Sequence, residues 1–272
     1  MPKYIESVVA TTLLDKQNEK LSLEVLNSLV SSLERYNIPL NIEHDPRMPP
    51  IGRVIKGYVR ERSDHEFEAV ALLELFDNEM DKIENNNKDL RLHESPDQFT
   101  LSYSFSHKNE SDLNEIKEIE ILINSKAFYE AKKSADPISI ISLTGAFVIG
   151  GIATGFLNQI GVNLWEKLKP KLVKLSSKNR TTNLLVFRML IKNLNISIEI
   201  EIILTNPVES DLDTFINKTT YNLDHLLEEL ITSNQDIRKI VFEQKNNSLS
   251  LKYALTNNGI PLFLNGTIED FL

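Results

Sequence analysis

His44 is the first residue whose neighbours point to chemistry. In Ile38–Val54, IPLNIEHDPRMPPIGRV, Leu40 and Ile42 alternate with Asn41 and Glu43, and His44 falls on the apolar side. That two-residue period predicts a strand with one buried face, and it turns the imidazole towards an interior or a cleft. Asp45-Pro46 ends the strand, because proline cannot donate to a ladder and restricts the residue before it. Pro49-Pro50 and Gly52 then form a stiff turn before Val54–Val59 resumes an extended pattern. An imidazole exchanges protons near neutral pH, so a histidine fixed at a strand end beside a proline loop is well placed for chemistry. His65, His93, His107 and His225 stand in polar surroundings and are expected to be solvated. No HExxH spacing, glycine-rich phosphate loop or calcium-type carboxylate cluster occurs, so no cofactor and no metal is expected.

The elements around His44 follow from periodicity. Tyr4–Leu14 is rich in Val and Thr and predicts a strand that closes at the turn-like Asp15–Lys20. Leu21–Tyr36 predicts an amphipathic helix, with Leu23, Leu26, Val30 and Leu33 at spacings of three and four and Ser22 as its cap. Val54–Val59, Glu66–Phe76, Phe99–Phe105 and Ile116–Ile123 predict further strands, the last with Ile119, Ile121 and Ile123 on one side. Asp77–Glu94 reads as a short helix or an exposed excursion. Six strands and one clear helix suit a small closed or nearly closed barrel.

Composition narrows the function classes. Hydrophobic residues at 41% and charged ones at 25% describe a folded chain. A net charge of −9 leaves no basic stripe for a phosphate backbone, so nucleic acid is not an expected partner. Zero cysteines remove disulfides, thiolate zinc sites and cysteine nucleophiles. The first twenty residues lack an apolar run of signal-peptide length, which predicts a cytoplasmic protein.

Four segments together resemble the prohead (capsid-maturation) serine proteases of tailed phages, which share the fold of herpesvirus assemblins. They are ATTLLDKQNE, NIEHDPRMPPIGRV, FTLSYSF and EIKEIEILINS, in the family's order over residues 4–130. The resemblance implies a barrel with helices, a serine nucleophile at Ser102 and a histidine base at His44. Either Glu118 or Glu120 would orient the imidazole, and Glu120 is the choice. Ser104 stands where the family has glycine and is a second candidate nucleophile. The family's ending has become NSKAFYEA here. Serine-dependent peptide hydrolysis needs such a base, its orienting group and oxyanion donors within reach of one another.

The second half changes character. Ile138–Trp165 carries no charge, and Glu166–Lys174 follows with Lys167, Lys169, Lys171 and Lys174. Ile138–Leu157 is long enough to cross a bilayer, although serines, threonines and glycines dilute it. Gly151 and Gly155, beside Ala146, Gly150 and Thr154, give small residues at four-residue spacing, a surface on which helices associate. The segment is therefore expected to be a hydrophobic helix, used for membrane contact or for packing between domains. Ser176–Arg180 reads as a linker. Strands at Leu184–Ile191 and Ile196–Leu204, a helix within Leu212–Ser233, and a hairpin of Lys239–Glu243 with Leu249–Leu255 predict a ββαββ module.

The expected protein is α+β with three parts. Residues 1–134 form a prohead-protease-like barrel, 135–178 the hydrophobic helix and basic linker, and 179–272 the second module. Two functions stand. One is a serine endopeptidase-like protein acting on a protein substrate, in a bacterial or prophage effector setting such as phage defence. The other is a non-catalytic sensor or binding module for a protein ligand, whose hydrophobic helix drives homo-oligomerisation or perturbs a membrane.

Overall fold

The computed structural model describes residues 3–14, 20–76, 83, 86–94, 96, 98–104, 110–130, 138–147, 160–177, 182–193, 196–213, 236–245 and 248–262. Two compact units account for them: residues up to Arg91 together with Leu255–Leu262, and Leu92–Ala254. The fold is α+β, with two open sheets and, among the described residues, no closed barrel.

In the first unit β1 (Lys3–Thr11), β2 (Tyr36–Leu40), β3 (Gly52–Glu61), β4 (Phe67–Leu75) and β5 (Asp89–Leu90) form a sheet in the order β1-β4-β3-β2-β5. Helix α1 (Leu23–Arg35) covers one face, and the Ser22 hydroxyl caps it by accepting from the Val25 amide. Its buried Leu26 and Leu33 pack on Ala10, Val54, Ala69, Ala71 and Leu73, as the three-and-four spacing predicts. Gly52 lets β3 lie close to β4: a Cβ there would sit 2.4 Å from the Glu74 carbonyl oxygen. On the other face Arg53 is buried, donating to Glu74 at 2.7 Å and to the Asn258 carbonyl at 2.8 Å. The turn Asn257–Gly259 completes this unit. Asn37 donates to the Asn257 carbonyl and exchanges side-chain hydrogen bonds with Asn86, whose amide donates to the Asn258 side chain.

The other sheet has eight strands, β6 (Thr100–Ser104), β7 (Phe128–Tyr129), β8 (Ile138–Phe147), β9 (Thr182–Asn193), β10 (Ile196–Thr205), β11 (Ile237–Lys245), β12 (Ser248–Thr256) and β13 (Pro261–Leu262); its residues up to Ala254 belong to the second unit, and those from Leu255 on are counted with the first. The strand order is β13-β12-β11-β10-β9-β8-β6-β7. Strands that the sequence assigns to a barrel and to a separate module therefore share one sheet. Helix α2 (Glu110–Ile123) packs on α3 (Val162–Ser176), and α3 packs on β8 and β9, with Trp165 6.2 Å from Phe187 between ring centres.

Three expectations are corrected. Ile116–Ile123 is helix, not strand. Ile116, Ile119 and Ile123 recur at helical spacing and are buried, while Ile121, which a strand would bury beside Ile119, is exposed. Ile138–Phe147, the first half of the expected hydrophobic helix, is a strand paired with both β6 and β9. Such an interior strand is buried on both faces and reads as a continuous apolar run, which is why it mimics a membrane segment. Residues 148–157, and with them the Gly151/Gly155 pair, lie outside the described residues, as do 214–233 of the expected second helix. No helix among the described residues is long and apolar enough to cross a membrane. Finally, β2 stops at Leu40, and Ile42–His44 forms a 3-10 turn in which Glu43 and His44 both take positive φ, 50° and 53°.

Candidate functional site

Register sorts the second sheet into two unlike faces. Residues directly opposite one another share a face, and successive residues alternate. One face carries Leu101, Ile141, Leu143, Leu185, Phe187, Ile200, Ile202, Ile240 and Phe242, and is apolar through its centre, with Ser139, Asn183 and Gln244 towards its ends and Tyr103 on β6. The other carries a polar band of Ser102, Ser142, Thr144, Arg188, Glu199, Glu201 and Lys239 set among Val186, Leu190, Ile203 and Val241, because Ser102 opposes Ser142, Thr144 opposes Arg188, Arg188 opposes Glu201, and Glu199 opposes Lys239. Two of these pairings bring unlike charges face to face.

The charged part of this band is largely buried. Glu199 and Glu201 are each 1% exposed, and Arg188, Ser142 and Thr144 are also buried. The charges answer one another. Arg188 Nε donates to Glu201 Oε1 at 2.7 Å, and its Nη1 lies 3.6 Å from Glu130 Oε1. The Lys239 ammonium stands 2.9 Å from Glu199 Oε1 and 3.0 Å from Glu201 Oε2. Glu199 Oε2 accepts from the His93 amide and, the carboxylate being an acceptor only, from a protonated His93 Nδ1, both at 2.8 Å. Burial pushes both carboxyls towards higher pKa, but Lys239, with His93 for Glu199 and Arg188 for Glu201, more than offsets it. Both are held below the ordinary value of 4.5. Burial likewise lowers the Lys239 pKa, and the two glutamates more than reverse that, so the ammonium stays protonated.

His93, Glu199 and Glu201 form the group of His, Asp and Glu side chains, among the described residues, whose ligand atoms lie close enough for a metal, within 4.8 Å. Lys239 already supplies the positive charge between the two carboxylates. His93 is the half-exposed member, its side chain 42% accessible. The sequence treats it as solvated, and nothing in its local spacing signals Glu199, which lies 106 residues away. The alternating ISIEIEIIL of β10 is the one available signal, since a strand with isoleucines on one face must place Glu199 and Glu201 together on the other.

The residues named by the resemblance fall on separate elements. His44 belongs to the first unit and is exposed on its 3-10 turn, whereas Ser102 and Glu120 belong to the second. Ser102 is half-buried on β6, three strand spacings from β10, which puts it about 14 Å from the Glu199 strand. Glu120 lies on α2 rather than on a strand, and its Oε1 accepts from the Ala127 amide at 2.7 Å. Burial, and after it the charge of Glu120, raises the pKa of Tyr103, whose side chain is on the sheet face opposite Ser102. Glu118 pairs with Lys171. Ser104 is buried on the Ser102 face, and its hydroxyl and that of Ser142 have no hydrogen-bond partner among the described residues. Set against family models, curated proteins and solved structures, the chain matches none.

Proposed function

We propose that this chain is a non-catalytic protein-binding or sensor protein of the cytoplasm that works as a homo-oligomer. The observation that carries the reading is the closed charge balance of the second unit, where two carboxylates, an arginine and a lysine neutralise one another inside the sheet. A catalytic carboxyl is usually held near its working pH by an uncompensated environment, whereas these are held ionised. In some proteins buried networks of this kind set strand pairing and register, and that is the role proposed for the network here. The segments that resemble prohead proteases then reflect descent of a scaffold whose active site has been lost, since fold does not fix function. The resemblance suggests phage biology, defence included, as the setting. The acidic balance of −9 favours a protein ligand over nucleic acid.

The alternative is the serine peptidase that the resemblance implies, with Ser102 as nucleophile. A fluorophosphonate probe, which esterifies activated serines, separates the two. The expected result is no labelling of the native chain beyond that of the heat-denatured chain. Labelling that disappears in Ser102→Ala and in His44→Ala would overturn the non-catalytic reading.

A further inference from the structure

We propose that β1 is a dimerisation strand, pairing antiparallel with β1 of a second copy so that two five-stranded sheets become one of ten, with Ile5 on the two-fold axis. Among the described residues the sheet order leaves β1 at an outer edge, while the opposite edge strand, β5, has only two residues. Nine residues of strand extend for about 30 Å. Along it Tyr4, Ile5, Val8 and Val9 are 54%, 38%, 46% and 37% exposed. Folded proteins shorten, charge or cover such edges, because their outward amides and carbonyls template any extended chain. Only Lys3 and Glu6 are charged here.

The backbone fixes the kind of occupant. A row of alternating outward donors and acceptors is satisfied by another strand and by little else. Register then selects a second copy in one arrangement. Alternate residues of β1 direct their backbone groups to β4, and the others direct theirs outward. Two identical strands can bond only where outward residues meet outward residues, so the numbers of opposed residues must sum to an even value. The ladder to β4 is regular over Lys3–Val8 and shifts between Val8 and Ala10. Within that stretch only axes at Ile5 and at Glu6 pair five residues of each strand. An axis at Glu6 sets two glutamates directly opposite, which is unfavourable. An axis at Ile5 pairs Ile5 with Ile5, Tyr4 with Glu6 and Lys3 with Ser7, and no like charges meet. One strand pair is smaller than the interface of a permanent dimer, so the association is concentration-dependent.

The absence of cysteine makes the register directly testable. Opposed Cα atoms in an antiparallel ladder lie about 4.5–5.5 Å apart, inside the reach of a disulfide. Ile5→Cys should therefore convert to a species of doubled mass on mild oxidation of the full chain. In Glu6→Cys the two thiols are offset by two residues along the strands and lie beyond about 7 Å, so crosslinking should fall at least tenfold. Sedimentation of the parent should give a dimer fraction that rises with concentration, and Ile5→Lys should weaken association at least tenfold with an unchanged melting curve. A parent that is monomeric over the same range, no crosslink at Ile5→Cys, or equal crosslinking at both positions overturns the proposal. These readouts do not involve serine chemistry, so they fail or succeed separately from the probe experiment.

Discussion

Replacing Lys239 by methionine tests the charge balance most sharply. The substitution keeps much of the side-chain volume but removes the ammonium that stands within 3.0 Å of both carboxylates. Glu199 and Glu201 would then share a buried site with Arg188 as the remaining fixed cation. Breaking a buried ion pair from one side costs about 3–5 kcal/mol, because the abandoned charge stays out of water. For a unit of this size that corresponds to a melting point lower by roughly 6–20 °C. The pH dependence should change sign. In the parent the glutamates are held below 4.5, so their contribution is fully present above that value and is lost as pH falls through their folded values. Lys239 is raised above its ordinary 10.5, so its contribution is present below 10.5 and is lost as pH rises through its folded value. Between these limits the cluster contributes a plateau. Without Lys239 burial dominates, the carboxyl pKa values rise, and protonation relieves the penalty. Urea denaturation should therefore find Lys239→Met recovering stability relative to the parent between pH 7 and pH 5. A loss below about 1 kcal/mol with the parent's pH slope would refute the reasoning, since that is the range of an exposed pair.

Two other substitutions probe the scaffold. Gly52→Ala places a methyl 2.4 Å from the Glu74 carbonyl oxygen, and because the obstacle is backbone the sheet must shift; denaturation should register a loss of about 1–3 kcal/mol. Trp165→Ala empties the contact between α3 and the apolar face at Phe187, and should lower stability by about 3–5 kcal/mol and expose dye-binding surface.

Much of the fold is legible in the sequence where one face of an element is buried. Helix α1 and strands β3, β4, β9, β10, β11 and β12 follow from their apolar periods and turn residues. Periodicity misleads where two periods fit the same residues. Ile116, Ile119, Ile121 and Ile123 satisfy a strand through the last three and a helix through Ile116, Ile119 and Ile123, and burial of acidic α2 against α3 decides for helix. It also fails for β8, because burial on both faces erases alternation and leaves only length to separate a strand from a helix. The site is less legible still. The pairing of Arg188 with Glu201 and of Glu199 with Lys239 depends on register between strands, and His93 reaches Glu199 across 106 residues. Local spacing contains none of this information. His44 looks like a strand residue because Leu40 and Ile42 set the period, but the strand ends at Leu40 and Glu43 and His44 form a positive-φ corner that this period does not signal.

The claim that the charged face is closed and structural is tested most directly by a carbon-13 NMR titration of the glutamate carboxyls, with Glu199→Gln and Glu201→Gln used for assignment. The account predicts that both carboxyls are ionised at pH 4.5 and take up protons only below it, together with acid unfolding of the second unit. A carboxyl in this pair titrating near pH 6 or 7 in the folded protein, as a general acid does, would contradict it.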